Sequence, residues 1–219
     1  MRLLGGWADD PVYAAAYDWS VEHPRAGRVA WRLGMGSDLR LLYAAAGEIG
    51  AQPRGARVLD VPCGGGVAVR ALSPGQGVDY VAADLSPAML ARTARRAERC
   101  GVADQVTTVR ADVGELPFGA AAYDLVVTFA GLHCFPDPAR AVAELVRVLR
   151  PGGVLTGSAF LNDTGLRYEP SRRVGRRTGL LGPGCTGDQL TAWLATLGVR
   201  DLTLTTSGAL AYFRGVRAA

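Results

Sequence analysis

Lysine is absent from this chain: all 24 positions of its lysine-plus-arginine total are arginine. A P-loop needs a lysine after its glycine turn, so that route to a triphosphate ligand is closed. Histidine is scarce, with only His23 and His133, and the four cysteines, Cys63, Cys100, Cys134 and Cys185, include no C-x-x-C pair. No zinc-ligand spacing can be built from that set, which reads as free thiols in a reducing compartment. No stretch approaches ~18 consecutive apolar residues, and the first ten residues lack a long apolar h-region. Neither a membrane span nor a secretory signal is expected, and a cytoplasmic location follows.

What is present describes one globular domain. The 219 residues are 49% hydrophobic, enough to bury a sizeable core. A net charge of +4 and a pI near 9.1 raise the question of nucleic acid. The all-arginine, alanine- and glycine-rich composition points instead to a codon bias toward G+C, so a nucleic-acid partner is disfavoured. An anionic small molecule or a membrane surface stays open.

Along the chain, three helical pieces come first: Pro11 to Ser20 with Asp10 as N-cap, Ala26 to Leu33, and Asp38 to Ile49. From Arg57 onward, strands and helices alternate with short punctuation, the pattern of a parallel sheet covered on both faces. Strands are expected at Arg57–Val61, Tyr80–Ala83, Val106–Arg110, Leu125–Phe129 and Val154–Phe160. A closing pair, Asp201–Thr205 and Ala209–Arg214, is joined as a hairpin at Ser207-Gly208. Between them run a helix beginning near Gly66, one capped by Ser86 and ended by Gly101, one capped by Asp137 and stopped by Pro151-Gly152, and one near Asp188–Leu197. The fold class is therefore α/β, a doubly wound, mostly parallel seven-stranded sheet with an antiparallel end.

The most informative segment is Val58-Leu59-Asp60-Val61-Pro62-Cys63-Gly64-Gly65-Gly66, an apolar strand running into a glycine turn. Glycine adopts positive φ and lets backbone N–H groups approach a ligand closely, while Asp60 can bind a cationic or hydroxyl-bearing group. A dinucleotide fingerprint begun at Gly64 would need glycine where Val69 stands. A second acid, Asp84, closes the next strand, where it can accept bonds from both hydroxyls of a ribose. Asp112 lies just beyond the third strand.

Here the chain resembles the class I S-adenosylmethionine-dependent methyltransferases, in particular the small-molecule group with the ubiquinone- and menaquinone-type enzymes. Five blocks occur in that family's order over Leu39 to Arg217: Val58–Gly66, Ala83–Leu90, Arg110–Phe118, Tyr123–His133 and Val148–Gly153. The resemblance implies a Rossmann-like core at 53–161, an N-terminal helical lid at 1–52, a variable substrate lid at 162–187, and a C-terminal helix and hairpin at 188–219. It implies S-adenosyl-L-methionine as cofactor, with Asp60, Pro62, Cys63, Gly64 and Gly66 among the residues that bind it and Asp84 on its ribose. Asp112 would take the adenine amino group and the Val113 N–H a ring nitrogen, with Leu85, Met89 and Val113 around the adenine. Thr128 and Phe129 open the loop that runs past the sulfur. Pro62 departs from the family, replacing the first glycine and deleting an N–H donor, so Gly64 and Gly66 must carry the close approach.

Methyl transfer is a displacement at an already activated carbon, so alignment matters more than acid–base help. His133 is the candidate general base, against a bland role in packing or capping its loop. Among the lid aromatics Tyr13, Tyr17, Trp19 and Trp31, Tyr17 is singled out to face the acceptor, against a core role for all four. Cys134 beside His133 is not expected to act as a nucleophile, since adjacent residues on one loop rarely face each other. The arginine-dense segment Arg167–Arg177 reads as a solvated face, a clamp for a carboxylate, phosphate or lipid headgroup, or an RNA contact. The expected activity is metal-independent methylation of an O, N or C atom of a small molecule. RNA or protein methylation, an NAD-linked oxidoreductase and a noncatalytic adenosine-ligand sensor are the alternatives.

Overall fold

In a computed structural model, the structure describes residues 19–21 and 23–219. Seven strands form one sheet: β1 Arg57–Asp60, β2 Asp79–Asp84, β3 Val106–Arg110, β4 Tyr123–Phe129, β5 Leu149–Phe160, β6 Val199–Ser207 and β7 Leu210–Arg217. Their order is β3-β2-β1-β4-β5-β7-β6. All neighbours are parallel except β7, which runs antiparallel to both β5 and β6. The helices are α1 Pro24–Gly34, α2 Leu39–Gly50, α3 Pro87–Cys100, α4 Pro138–Val148, α5 Glu169–Thr178 and α6 Gly187–Thr196. Among the described residues, no helix is long and apolar enough to cross a membrane.

The central strands are nearly continuous apolar runs because both faces of a parallel sheet are covered. Alternate side chains therefore enter different cores. Leu59 and Val126 join Leu145, Leu155, Leu190 and Leu194 on one face. Val58 and Val127 join Ile49, Tyr80 and Ala97 on the other. A third cluster packs α1 and α2 onto β7 through Trp31, Leu39, Leu42, Leu210 and Tyr212. Trp31 is thus a core residue, with its Nε1–H donating to Ser20 Oγ at 2.9 Å, while Trp19 is half exposed and stacks on His23. Tyr13 and Tyr17 lie outside the described residues.

Helix ends follow the sequence signals closely. Asp137 caps α4 through the Arg140 N–H, and Gly101 closes α3 in the left-handed conformation at φ 69°. Ser86 stands at the N-cap of α3 but makes no side-chain cap bond; Asp84 Oδ1 accepts its N–H instead, at 2.9 Å. The helix expected from Gly66 is a single 3-10 segment, Val67–Ala71, and β5 begins five residues earlier than expected, at Leu149.

The larger departure is the arginine-dense segment, which lies outside every helix expected from sequence and carries α5. Glu169 meets Arg172 three residues on and Arg173 four residues on, at 3.1 and 3.2 Å, which supports a helix. Gly179 closes it at φ 80°. Arg172 is neither solvated nor available as a clamp: it is 2% exposed. Its guanidinium donates to Leu161 O, Gly165 O, Thr164 Oγ1 and Glu169 Oε2 and lies 5.3 Å from the Phe160 ring centre.

Removing Arg172 breaks several charge-assisted bonds of a buried guanidinium at once, a cost of about 3 kcal/mol. Arg172→Ala is expected to lower the urea-unfolding free energy by about that much, with Arg172→Lys recovering less than half because an ammonium cannot span the same acceptors. Equal stability of Arg172→Ala and the parent would show that this arginine does not hold α5 to the end of β5.

Candidate functional site

The strand order reverses between β1 and β4, and the crevice outside their carboxyl ends is where open α/β sheets hold ligands. The chain leaves β1 at Asp60 and turns at once. The Val61 N–H donates to Val127 O, and the Cys63 N–H to Ala83 O, at 3.0 and 2.9 Å, so the loop is tied to both neighbouring strands. Gly64 and Gly66 have φ of 52° and 78°, where a side chain is strained. Their surroundings differ. A Cβ on Gly64 would meet nothing within 4 Å, so its backbone borders open space, whereas one on Gly66 would lie 2.9 Å from Thr93 Cα on α3. Gly66 therefore serves close packing and Gly64 close approach from outside.

The acids converge on this loop. Asp84 is buried and accepts from the Gly64 N–H at 3.0 Å and the Ser86 N–H at 2.9 Å. Burial raises its pKa, and those N–H bonds pull the other way. Asp60 is 1% exposed and accepts from Tyr80 Oη at 2.7 Å. Burial pushes its pKa up to about 7, the Tyr80 bond opposes that, and the nearby Asp84 charge adds to it. The Ala111 N–H donates to Asp84 O at 3.1 Å, which sets Asp112 and Val113 beside Asp84. Asp112 is exposed and accepts from the Gly114 N–H at 2.8 Å, within a turn just beyond β3.

Leu85 is 55% exposed directly after Asp84, while Met89 and Val113 are buried. Two buried hydroxyls at this end of the sheet, Ser86 Oγ and Thr128 Oγ1, have no hydrogen-bond partner. Unpartnered buried hydroxyls are costly, and a polar ligand is one way to satisfy them. Three carboxylates, open glycine backbone, an exposed leucine and two orphan hydroxyls suit a ligand with a cationic group, hydroxyls and a flat ring. They do not suit a pyrophosphate, and Val69, fully buried, fills the place of the third glycine of a dinucleotide loop.

On the far side of the crevice, β4 ends at Phe129, which is half-buried, and Ala130 turns at φ 52°. Pro62 packs onto the loop that follows: a Cβ on Gly131 would lie 2.3 Å from Pro62 Cδ and 2.8 Å from Phe135 Cζ. The proline that replaces the first loop glycine thus has its room made by a glycine on the facing loop. His133 is buried, and its Nδ1 accepts from the Phe160 N–H at 3.0 Å. That bond places the ring proton on Nε2, and burial lowers the pKa to about 4. The ring therefore joins loop to strand, with its one lone pair already committed. Cys134 Sγ points back to Ala130 O at 3.9 Å, away from a pairing with His133.

The structure brings Asp60, Pro62, Cys63, Gly64, Gly66, Asp84 and Thr128 together at the ends of β1, β2 and β4, with Leu85, Met89, Asp112 and Val113 along the β2–β3 side. Sequence reasoning missed Tyr80 and Gly131. A tyrosine in a strand buried on both faces needs a partner for its hydroxyl, which is the signal that could have linked Tyr80 to Asp60. Nothing in the sequence pairs Gly131 with Pro62.

Comparison with known proteins agrees with this geometry. A family described as a methyltransferase domain matches residues 59–156. The demethylmenaquinone methyltransferase of Thermus thermophilus is 36% identical over 63% of this chain and 61% of its own length. The phthiotriol/phenolphthiotriol dimycocerosates methyltransferase of Mycobacterium leprae is 34% identical over 80% of this chain and 56% of its own. The chain spans between 34% and 61% of the length of the curated relatives it matches. Among solved structures, a Haemonchus contortus phosphoethanolamine N-methyltransferase aligns with a TM-score of 0.73 at 17% identity, over 94% of this chain and 57% of that one, a likeness of fold.

The Pro62–Gly131 contact is testable by a double-mutant cycle. Gly131→Ala alone should cost about 1–3 kcal/mol of unfolding free energy through overpacking, and Pro62→Gly should recover at least half of that loss. Strict additivity of the two changes in urea unfolding would show that the two loops do not press on each other.

Proposed function

We propose that this chain, which belongs to the class I S-adenosylmethionine-dependent methyltransferases, moves a methyl group from S-adenosylmethionine to an O, N or C atom of a small-molecule acceptor, without a metal. The observation that carries this reading is the Gly64 loop with Asp60 and Asp84 at adjacent strand ends, inside the matched segment. The demethylmenaquinone and phthiotriol/phenolphthiotriol dimycocerosates methyltransferases among its relatives support a small-molecule acceptor. A cytoplasmic location belongs to the same proposal, supported by four cysteines that form no disulfide among the described residues. So does the division into an N-terminal lid at 1–52, a cofactor core at 53–161, a substrate lid at 162–187 and a C-terminal helix and hairpin at 188–219.

S-adenosylmethionine supplies a methyl carbon already activated by positive sulfur. The chain's work is to hold and orient. Asp84 accepts from the ribose hydroxyls, Asp112 from the adenine amino group, and the Val113 N–H donates to a ring nitrogen. Leu85, Met89 and Val113 bound the ring. Asp60, Pro62, Cys63, Gly64 and Gly66 line the amino-acid end, with Thr128 and Phe129 beside the sulfur. His133 sets the loop's position through Phe160, and the acceptor arrives with its nucleophile already ionised or releases its proton to water. Tyr17 stays assigned to the acceptor side. Thermal-shift measurements with S-adenosylmethionine, S-adenosylhomocysteine, NAD and NADP test the assignment: the first two should protect and the last two should not.

Two further outcomes follow from the titrating groups. Asp60 keeps a proton in the folded state that the unfolded chain, at its ordinary 3.8, has given up; stability therefore falls as pH rises from 3.8 to about 7, then levels. The cationic cofactor gains a full negative partner only above about 7. Its affinity by calorimetry should rise between pH ~6 and ~8, more weakly in Asp60→Asn, and with the midpoint moved upward in Tyr80→Phe. A flat profile in the parent protein would remove Asp60 from the cationic end.

Loss of a general base costs about 100-fold to 10,000-fold in turnover. His133→Ala should instead lose no more than about tenfold in kcat and keep the parent's pH profile between ~6 and ~8. A loss beyond 100-fold with that limb of the profile erased would return the base role to His133.

A further inference from the structure

Helix α5 sets a single carboxylate against four arginines. Its only carboxylate, Glu169, is shared by Arg172 at 3.1 Å and Arg173 at 3.2 Å and stands 4.0 Å from Arg176. Arg176 donates to the neutral amide oxygen of Asn162 at 2.7 Å, which fixes its direction without cancelling its charge. Arg177 makes no ion pair among the described residues.

Arg176 and Arg177, both exposed, line an open cavity of about 490 Å³ together with Cys134, Pro136, Gly179, Leu181 and Gly182. That volume lies in the range of small-molecule sites. The cavity's floor belongs to the crevice loop: the Gly182 N–H donates to His133 O at 2.9 Å, and a Cβ on Gly182 would lie 2.4 Å from Phe135 O. So the same loop, 131–136, carries Gly131 against Pro62 on one side and borders two arginines on the other.

We infer that this cavity binds an anionic oxygen group, a carboxylate or a phosphate, through Arg176 and Arg177, with Leu181 and Pro136 against the apolar body that bears it. Two planar forks on successive residues match oxyanion geometry better than ammonium groups would. The group has two sources of the same chemistry, the acceptor's own acid or a free anion. Assigning it to the acceptor rests on the methyl-transfer reading; the anion site itself does not.

Calorimetric titration of inorganic phosphate, and separately of benzoate, into the full chain at matched ionic strength tests this without turnover. Removing one arginine from the oxyanion should weaken binding about tenfold or more. Arg177→Ala and the charge reversal Arg177→Glu are both expected to show that weakening while S-adenosylhomocysteine affinity stays within about twofold, since neither touches the crevice acids. Benzoate binding tighter than phosphate identifies an aromatic acid carried by the acceptor; phosphate binding as tightly or tighter identifies a free anion. Equal anion affinity in the parent and both variants, or no binding of either anion to the parent, overturns the site. Failure of S-adenosylhomocysteine to bind the parent would instead count against the methyl-transfer reading alone.

Discussion

Asp84 holds the Gly64 N–H at 3.0 Å, and the geometry of the whole crevice hangs from that bond. It joins the end of β2 to the turn after β1, so the two strand ends that a ligand must touch at once cannot drift apart. The same carboxylate takes the Ser86 N–H and so aims the first turn of α3. Thr93, two turns along that helix, closes the ring by donating to Gly64 O at 2.8 Å. A loop rich in glycine is entropically costly to order. Here the order comes from three polar contacts set by a neighbouring strand and its helix rather than by the loop's own side chains.

That arrangement explains which parts were legible in the sequence. Strands β1 to β4 and their helices announced themselves because a strand buried on both faces must be apolar throughout, and because Pro87, Gly101, Asp137 and Pro138 mark helix ends by their own backbone chemistry. Asp60, Asp84 and the glycines were legible for the same reason: their positions relative to strand ends decide their surroundings. What escaped was set by contacts between segments distant in sequence. Tyr80 reaches Asp60 across the sheet, Pro62 needs Gly131 some seventy residues on, and the His133 lone pair is taken by a backbone N–H from β5. The helix at 169–178 was hidden because its apolar face is mostly arginine stem and glycine, which no hydrophobic period reveals.

The two loops of the crevice also restrain each other. Pro62 stiffens the first, and its ring occupies the space over Gly131, so the second can close down only as far as the proline allows. His133 then fixes that second loop to Phe160, and Phe160 lies under Arg172. A chain of contacts thus runs from the glycine turn through both loops to α5. The two walls of the crevice are mechanically one unit, as the proposed transfer between two aligned reactants requires.

The lysine-free composition has a structural consequence that net charge conceals. Arginine offers five donors in a fixed fork, and this chain uses many of them on main-chain carbonyls. Arg217 donates to Val146 O and Arg147 O at the end of α4, each at 3.2 Å. Arg147 reaches Leu116 O and Phe118 O while paired with Glu144. Arg172 does the same for Leu161 and Gly165. Many of the 24 arginines are therefore held in place by backbone oxygens and local carboxylates. A basic isoelectric point built this way says little about a basic surface. In α5 the contrast is sharp: Arg172 has its fork committed to Leu161, Thr164, Gly165 and Glu169, whereas Arg177 lines a cavity and makes no ion pair among the described residues.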